Sequence, residues 1–221
     1  MYKKLYCPKY ENIIIFYTLI NNIGKKMKKT LIIFLSLILF QMQNLKAEEG
    51  QFRFGVELGW TPVEIEAEKT AQAIANASGS TVLTEYDKGA FVGRAFGEYG
   101  ISSNLGVEVG YFQTSGAGAT YKIGANSASE SYDIHGVDFS AVFKSPEGFF
   151  GKVGIHSSTI DGSANVTIGG TSYAATASKT GTGALIGGGL ESGNTRYSIT
   201  HYADIGGIDT SATFFAVGYL F

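Results

Sequence analysis

The sequence predicts an all-β fold: an eight-stranded antiparallel up-and-down β-barrel that crosses a membrane with its strands. Two observations predict it. Apolar residues recur at every second position in eight segments, and the polar connections between these segments alternate between short and long. A period of two is the repeat of a strand with one apolar face, and about ten residues is the length of a tilted strand that crosses a bilayer. Eight such strands close a ring whose interior can be filled by side chains.

The composition indicates a folded chain. Of 221 residues, 30 are glycine, 13% are aromatic and 16% are charged, whereas disordered chains are rich in charge and poor in aromatic residues. The net charge of -2 gives no electrostatic basis for binding nucleic acid. The three histidines, His135, His156 and His201, show none of the spacings of known metal motifs, so the sequence predicts neither a metal site nor a cofactor.

A signal peptide is predicted over residues 27–47. Lys28 and Lys29 precede a ten-residue apolar run at 31–40, and the small residue Ala47 stands where cleavage is expected. Ten residues are too few for a helix that spans a bilayer, which needs about 20. We therefore predict export and cleavage after Ala47.

Residues 1–26 precede Met27, where such a signal peptide would begin. We interpret them as an extension that arises from a misassigned start codon, with an anchor helix at 13–23 as the alternative. Residues 1–47 contain eight of the 17 Lys and Arg, one of the 19 Asp and Glu, and the single cysteine, Cys7. The predicted mature domain, 48–221, therefore carries 9 basic and 18 acidic groups, a net charge of -9, and has no disulfide to stabilise it.

The eight strands are predicted, in chain order, at 51–60, 89–99, 105–111, 137–143, 149–156, 181–191, 196–200 and 212–221. The first has the clearest alternation, since its apolar face carries Phe52, Phe54, Val56, Leu58 and Trp60. The second and sixth strands are weaker because glycine dilutes the alternation, and the others repeat the pattern of the first. In 181–191, the run Gly187–Gly189 lacks the lysine and helix of a phosphate loop, so its small residues are interpreted as relief of crowding inside the barrel.

Short polar turns are predicted at 100–104, 145–148 and 192–194. Long connections rich in Ala, Ser, Thr and Gly are predicted at 61–88, 115–130 and 159–180, with a short fourth at 205–207. Short turns on one side and long loops on the other are typical of outer-membrane barrels. Within 61–88, residues 61–64 match a capping box and allow a helix over 64–75, but the alternation there favours an extended hairpin.

The polar strand faces predict a lumen lined by charges. Its cations are Arg53, Arg94, Lys152 and Arg196, and its anions are Glu57, Glu98, Glu108, Asp138 and Glu191. Because an unpaired charge in a confined space is costly, near balance predicts ion pairs that fix the barrel without catalysis. A small pore gated by these charges is the alternative. Trp60, Tyr99, Tyr111 and Tyr197 are predicted to lie in the interfacial aromatic girdles.

The last strand ends on alternating apolar residues, Phe215, Val217, Tyr219 and Phe221. With the eight strands and the signal peptide, this ending makes 48–221 resemble the small eight-stranded outer-membrane barrels, the group of the OmpA membrane domain, OmpX, NspA and the Opa proteins. The resemblance implies an outer-membrane location in a Gram-negative bacterium, contact with outer-membrane lipid and lipopolysaccharide, and a monomer. It also implies that the terminal strand is read by the barrel-assembly machinery and that charges plug the lumen. A structural or surface-interaction role through the extracellular loops, such as adhesion to a host or surface ligand, is the implied function.

Two segments are candidates for a catalytic site. Residues 200–206 resemble the His-x-Ser-Asn-Ala segment of the lipid A deacylase barrels; His201 matches, but Ala203 stands where the nucleophilic serine belongs and Asp204 replaces the asparagine. Without that hydroxyl the mechanism fails, so we predict no enzyme and keep a lipid A-modifying enzyme as the alternative. The second candidate pairs His156 with Ser158, with Asp161 as the nearest group to orient the histidine.

Overall fold

The computed structural model describes residues 50–62, 67–80 and 82–221. The elements in these ranges are β1 (Phe52–Pro62), α1 (Ala67–Ser78), β2 (Leu83–Tyr86), β3 (Gly89–Ser102), β4 (Leu105–Thr114), β5 (Ala117–Ile123), β6 (Asn126–Lys144), β7 (Phe149–Ile168), β8 (Thr171–Ser192), β9 (Thr195–Tyr202), a 3-10 helix (Ile205–Gly207) and β10 (Ala212–Leu220). The predicted signal peptide, 27–47, and the extension, 1–26, lie outside the described residues. No described helix is both long enough and apolar enough to cross a membrane.

Eight of the ten strands form a closed antiparallel ring. Its order is β1-β3-β4-β6-β7-β8-β9-β10, and β10 pairs back onto β1, where Val56 faces Tyr219. Closure matters because hydrocarbon offers an unpaired backbone group no hydrogen-bond partner. The predicted eight-stranded up-and-down barrel is confirmed.

The ring is apolar outside and polar inside. Along β3, every second residue from Ala90 to Gly100 is buried, and the residues between them face outward. The large apolar side chains exposed on the outer wall include Phe52, Phe54, Trp60, Phe91, Val109, Tyr111, Val137, Phe139, Phe143, Phe149, Val153, Ile155, Ile186, Tyr197, Ile199, Phe215, Val217 and Tyr219. A belt of this size is unfavourable in water and is what lipid acyl chains cover.

The three connections at one end of the barrel are short, as predicted. Strands β3 and β4 are joined by residues 103–104, β6 and β7 by 145–148, and β8 and β9 by 193–194. Gly148 and Gly193 adopt φ values of 91° and 58°, in the left-handed region that tight turns need and that glycine enters without steric cost.

Two stretches predicted as long loops, 115–130 and 159–180, are strands instead. The β6–β7 ladder continues outward to Ser127 opposite Thr167, and the β7–β8 ladder runs to Ile168 opposite Thr171. With β5 and β2, they form a five-stranded extracellular sheet in the order β2-β5-β6-β7-β8. The prediction of loops was wrong because it looked for strands only where apolar residues alternate. Strands outside the membrane do not need that alternation.

The first long connection also differs from the expectation. Residues 61–88 contain α1 and β2 rather than an extended hairpin. Ala71 and Ile74, three residues apart on α1, pack against Ala119 and Tyr121 of β5, and burial of one such stripe selects the helix. The alternative prediction, a helix over 64–75, is closer to the observed helix at Ala67–Ser78, although residues 63–66 lie outside the described part.

Candidate functional site

All nine charged residues predicted for the lumen lie inside the barrel. Eight of them are at most 7% exposed, and the side chain of Glu191 is 12% exposed. Each lies on the face of its strand opposite to the lipid-facing residues. The alternation therefore places these charges where water and lipid are both excluded, so each depends on protein partners.

Arg94 is the centre of this charge network. Its guanidinium donates to Glu57 at 2.9 Å, to Glu108 at 2.6 Å and to both oxygens of Asp138 at 2.6 and 2.9 Å. Gly110 gives it room, since a Cβ added there would lie 2.5 Å from the Arg94 Nη2 atom. Three carboxylates from three other strands are thus held by one cation.

Arg196 is a second hub that also uses aromatic faces. Its Nη1 donates to Glu108 at 2.5 Å, and its guanidinium carbon lies 4.6 Å from the ring centre of Phe96 and 4.1 Å from that of Phe150. Lys152 approaches Glu108 at 3.5 Å. Stacking between two rings stabilises a desolvated guanidinium in a way that a lysine ammonium would not match.

At the end with the short turns, a third group of charges includes a residue that the sequence reading missed. Arg53 donates to Glu98 at 2.8 Å and to Glu191 at 2.6 Å, and Lys144 lies 2.5 Å from Glu98 and 3.4 Å from Glu191. Lys144 is an even number of residues from Asp138 on β6, so the alternation of the strand already places it on the lumen face. With Lys144, five cations face five anions among the described lumen residues.

The extracellular end of the lumen is filled by an apolar layer. Its buried members are Val92, Phe112, Leu185, Tyr202, Ile205, Ala212 and Phe214. The ring of Phe112 packs 4.7 Å from that of Tyr202 and 5.4 Å from that of Phe214, and the Tyr202 hydroxyl donates to Asp138 at 3.0 Å. Alternation within single strands does not reveal this layer, because its members come from several strands.

The candidate pair His156 and Ser158 lies in the lumen but does not form a catalytic arrangement. His156 Nε2 lies 2.7 Å from the carbonyl of Ala203, and Ser158 Oγ accepts from the backbone of Gly206 at 3.0 Å. Asp161 is on the opposite face of β7, where it lies beside His135. Asp161, the nearest candidate to orient His156, is not placed to do so, because residues an odd number apart on a strand face opposite sides.

The segment that resembles a lipid A deacylase lies at the extracellular end of β9. His201 faces outward, and its Nδ1 lies 3.0 Å from the hydroxyl of Thr213 on β10. Ala203 offers no hydroxyl, and Asp204 has φ of 55° where the chain turns into the 3-10 helix. This segment serves as the connection between β9 and β10.

Both groups of membrane-facing residues singled out in the sequence lie on the outer wall. The aromatic side chains of Trp60, Tyr111 and Tyr197 are 41–50% exposed, and Tyr99 stacks on Phe52 at 4.8 Å. For the terminal strand, exposed outward positions are occupied by Phe215, Val217 and Tyr219, and the Tyr219 ring lies 5.1 Å from that of Phe221.

The extracellular sheet ends on a free strand edge. Residues 171–180 of β8 are all exposed and pair with β7 on one side, whereas β9 pairs with β8 only from Leu185 to Ser192. The opposite edge, β2, is four residues long. The longest unpaired backbone in the described part of the sheet is therefore the outer stretch of β8.

A closed eight-stranded ring with a lipid-facing apolar belt and an ion-paired interior defines a small outer-membrane barrel. The family model for the OmpA-like transmembrane domain matches residues 47–204, and the chain belongs to that family. It is accordingly an outer-membrane protein. Comparison with curated proteins gives no match.

Several solved structures are similar to this chain. The attachment invasion locus protein Ail of Yersinia pestis, in complex with the heparin analogue sucrose octasulfate, is 14% identical over 78% of this chain and 99% of that one, with a TM-score of 0.49. Neisserial surface protein A (NspA) is 12% identical over 76% and 94%, with a TM-score of 0.33. The outer membrane protein OprG from Pseudomonas aeruginosa is 10% identical over 79% and 98%, with a TM-score of 0.38.

Proposed function

We propose that this barrel is a surface-interaction protein of a Gram-negative bacterium, in which the ring is the membrane anchor and the extracellular sheet contacts the partner. The observation that carries the proposal is the free edge of β8, ten exposed residues long at 171–180. An unpaired edge presents a row of N–H and C=O groups that another chain can use as a template. The fitting partner is an extended polypeptide segment that adds to the sheet as a further strand.

The sequence of this edge supports the proposal. Native proteins commonly block edges with proline, lysine or bulges, but residues 171–180 contain no proline and one charge, Lys179. The β7–β8 ladder is regular along this stretch. The edge is therefore accessible over its outer part; next to Lys179 it meets the 3-10 helix, since a Cβ on Gly206 would lie 3.0 Å from the Lys179 carbonyl oxygen.

The proposal is tested by adherence of bacteria that express the chain. Removal of residues 163–176, with a two-residue Asn-Gly turn inserted between Gly162 and Ala177, takes away most of the edge and keeps these paired residues together. We expect adherence to fall to the level of cells without the protein. A matched variant that lacks the helix, 67–80, keeps the edge and should adhere like the wild type. Equal adherence in all three strains would contradict the proposal.

We also propose that the lumen is closed to ions. The balanced charge network supports this, since its carboxylates and cations bind each other across the bore, and the apolar layer around Phe112 fills the outer end. Planar-bilayer recordings of the purified wild type, Glu57→Ala and Arg94→Ala should all be silent. Discrete current steps in the wild type that either variant alters would instead assign a charge-gated pore.

For Phe215, Val217, Tyr219 and Phe221 we propose the role of an assembly signal. Their position supports this role, because they form the outward face of the strand that closes the ring on β1. Deletion of Phe221 should lower the amount of folded barrel in outer membranes, whereas deletion of the exposed Asp209 in the β9–β10 connection should not. Equal amounts of folded protein would remove this role.

A further inference from the structure

Two aspartates face each other on the outer wall of the extracellular sheet. Asp133 on β6 and Asp161 on β7 are direct cross-strand partners, so their side chains share one face. Like charges placed directly opposite each other are destabilising. Among the described residues, neither aspartate forms an ion pair with lysine or arginine.

His135 completes a three-residue cluster on the same face. It lies two residues after Asp133, and its Nδ1 is 3.5 Å from the Oδ2 of Asp161. One ligand atom from each of the three residues lies within 4.8 Å of the other two, and all three side chains are partly buried. Local spacing does not reveal the cluster, because its third member comes from a different strand.

The surroundings of the cluster are polar and uncharged. Gln113 of β4 is the cross-strand neighbour of His135, Thr159 lies opposite it on β7, and Ser178 of β8 lies opposite Asp161. Two residues after His135 on the same face of β6 lies Val137, which is 52% exposed and belongs to the apolar belt. The cluster is therefore just above the lipid-facing belt, where solvent can reach it.

We propose that Asp133, His135 and Asp161 bind a divalent transition-metal ion of the Zn²⁺ class. One imidazole and two carboxylates are a donor set that suits such ions, and three protein ligands leave an open position for water or another oxygen. Bonds of about 2.0–2.2 Å require the three donor atoms to be roughly 3.3 Å apart. The three donor atoms lie within 4.8 Å of one another, so side-chain rotation toward a shared ion is the movement that binding requires.

Two features favour binding at this place. The ligands come from two strands paired over their whole common length, so the backbone that carries them is held rigidly. The bound cation also removes the repulsion between the two carboxylates. The site lies on the flat face of β6 and β7 rather than on the β8 edge, so it is independent of the proposed surface-interaction role.

The test is zinc binding by the full barrel, refolded without a histidine tag in detergent free of lipopolysaccharide. Equilibrium dialysis followed by metal analysis should give one tightly bound Zn²⁺ per chain. His135→Ala and Asp161→Asn should each weaken binding by about tenfold or more. His201→Ala is the matched control, because His201 also lies on the outer wall and is partly exposed, and in the described part of the chain it pairs with no carboxylate. The zinc affinity of this variant should equal that of the wild type.

A second measurement keeps the proposal open to refutation if a variant folds poorly. Zn²⁺ should raise the unfolding temperature of the wild type and of His201→Ala, and leave that of Asp161→Asn unchanged. In metal-free buffer, Asp161→Asn should be at least as stable as the wild type, since it removes the like-charge pair. Absence of saturable binding, or binding that survives both ligand substitutions, would overturn the site.

Discussion

Replacement of Arg94 by methionine is the most direct test of the lumen network. Methionine keeps much of the side-chain length but removes the positive charge and four hydrogen bonds, which reach Glu57, Glu108 and both oxygens of Asp138. Arg94 is 6% exposed, so water cannot replace it as a partner. Three buried carboxylates then share the remaining cations.

The expected loss follows from the partners that remain. Four hydrogen bonds to charged groups at about 1.5–3 kcal/mol each would sum to more than the substitution can cost, because the carboxylates keep other donors. Glu108 retains Arg196 at 2.5 Å, Glu57 retains Ser198 at 2.8 Å, and Asp138 retains Tyr202 at 3.0 Å. Removal of one partner from a buried ion pair costs about 3–5 kcal/mol, and we expect the free energy of unfolding to fall by that amount.

A second substitution separates charge balance from simple loss of contacts. Asp138→Asn in the Arg94→Met background returns the lumen to equal numbers of cations and anions, and the asparagine oxygen still accepts from Tyr202. The double variant should be more stable than the sum of the two single losses by about 1–3 kcal/mol. Lys122→Met, on the exposed part of β5, is the control and should change stability by less than about 0.5 kcal/mol.

The assay is urea unfolding in detergent micelles, followed by the fluorescence of the single tryptophan, Trp60, which lies on the outer wall. Midpoint and slope together give the free energy of unfolding for each variant. An Arg94→Met barrel within about 1 kcal/mol of the wild type, or additive losses in the double variant, would refute the reasoning.

Two further predictions use the same unfolding assay. Gly189→Ala should lower the free energy of unfolding by about 1–3 kcal/mol, because the added Cβ would overlap the carbonyl oxygen of Tyr197. Gly151→Ala is the control and should be nearly neutral, since the atom nearest to its Cβ would be 3.9 Å away. Equal effects of the two substitutions would contradict this prediction. Burial and the 2.6 Å hydrogen bond to Glu130 raise the pKa of Tyr121 to about 12. Because the pKa is raised in the folded state, the advantage of the wild type over Tyr121→Phe should be complete below about pH 10 and disappear as the pH rises to about 12; a constant difference would refute it.

The ring could be predicted from the sequence because the membrane imposes a simple rule. A strand in hydrocarbon must alternate and must pair on both sides, so each segment such as 51–60 reveals both its length and its inner face. The same rule predicts that Arg94 and Glu108 face the lumen. Their partners could not be assigned, because the stagger between strands is set by the whole ring and not by any one segment.

The parts beyond the membrane follow weaker rules and were predicted less well. The stretch 159–180 forms strands although its faces are not apolar, and α1 is selected by contacts of Ala71 and Ile74 with a strand far along the chain. Asp133 and Asp161 become neighbours only through the register of β6 and β7. In each case the decisive interaction joins distant parts of the sequence, so no local pattern records it.

The two layers of the lumen explain how one barrel can hold ten charges in its interior. Charges pair well only where water is excluded, since the attraction between them grows as the local dielectric falls. The apolar layer around Phe112 and Phe214 covers the network on the extracellular side, and Tyr202 connects the two through its hydroxyl bond to Asp138. Strands β6, β7 and β8 run without a break from the ring into the extracellular sheet, so the sheet extends the hydrogen-bond ladders of the ring.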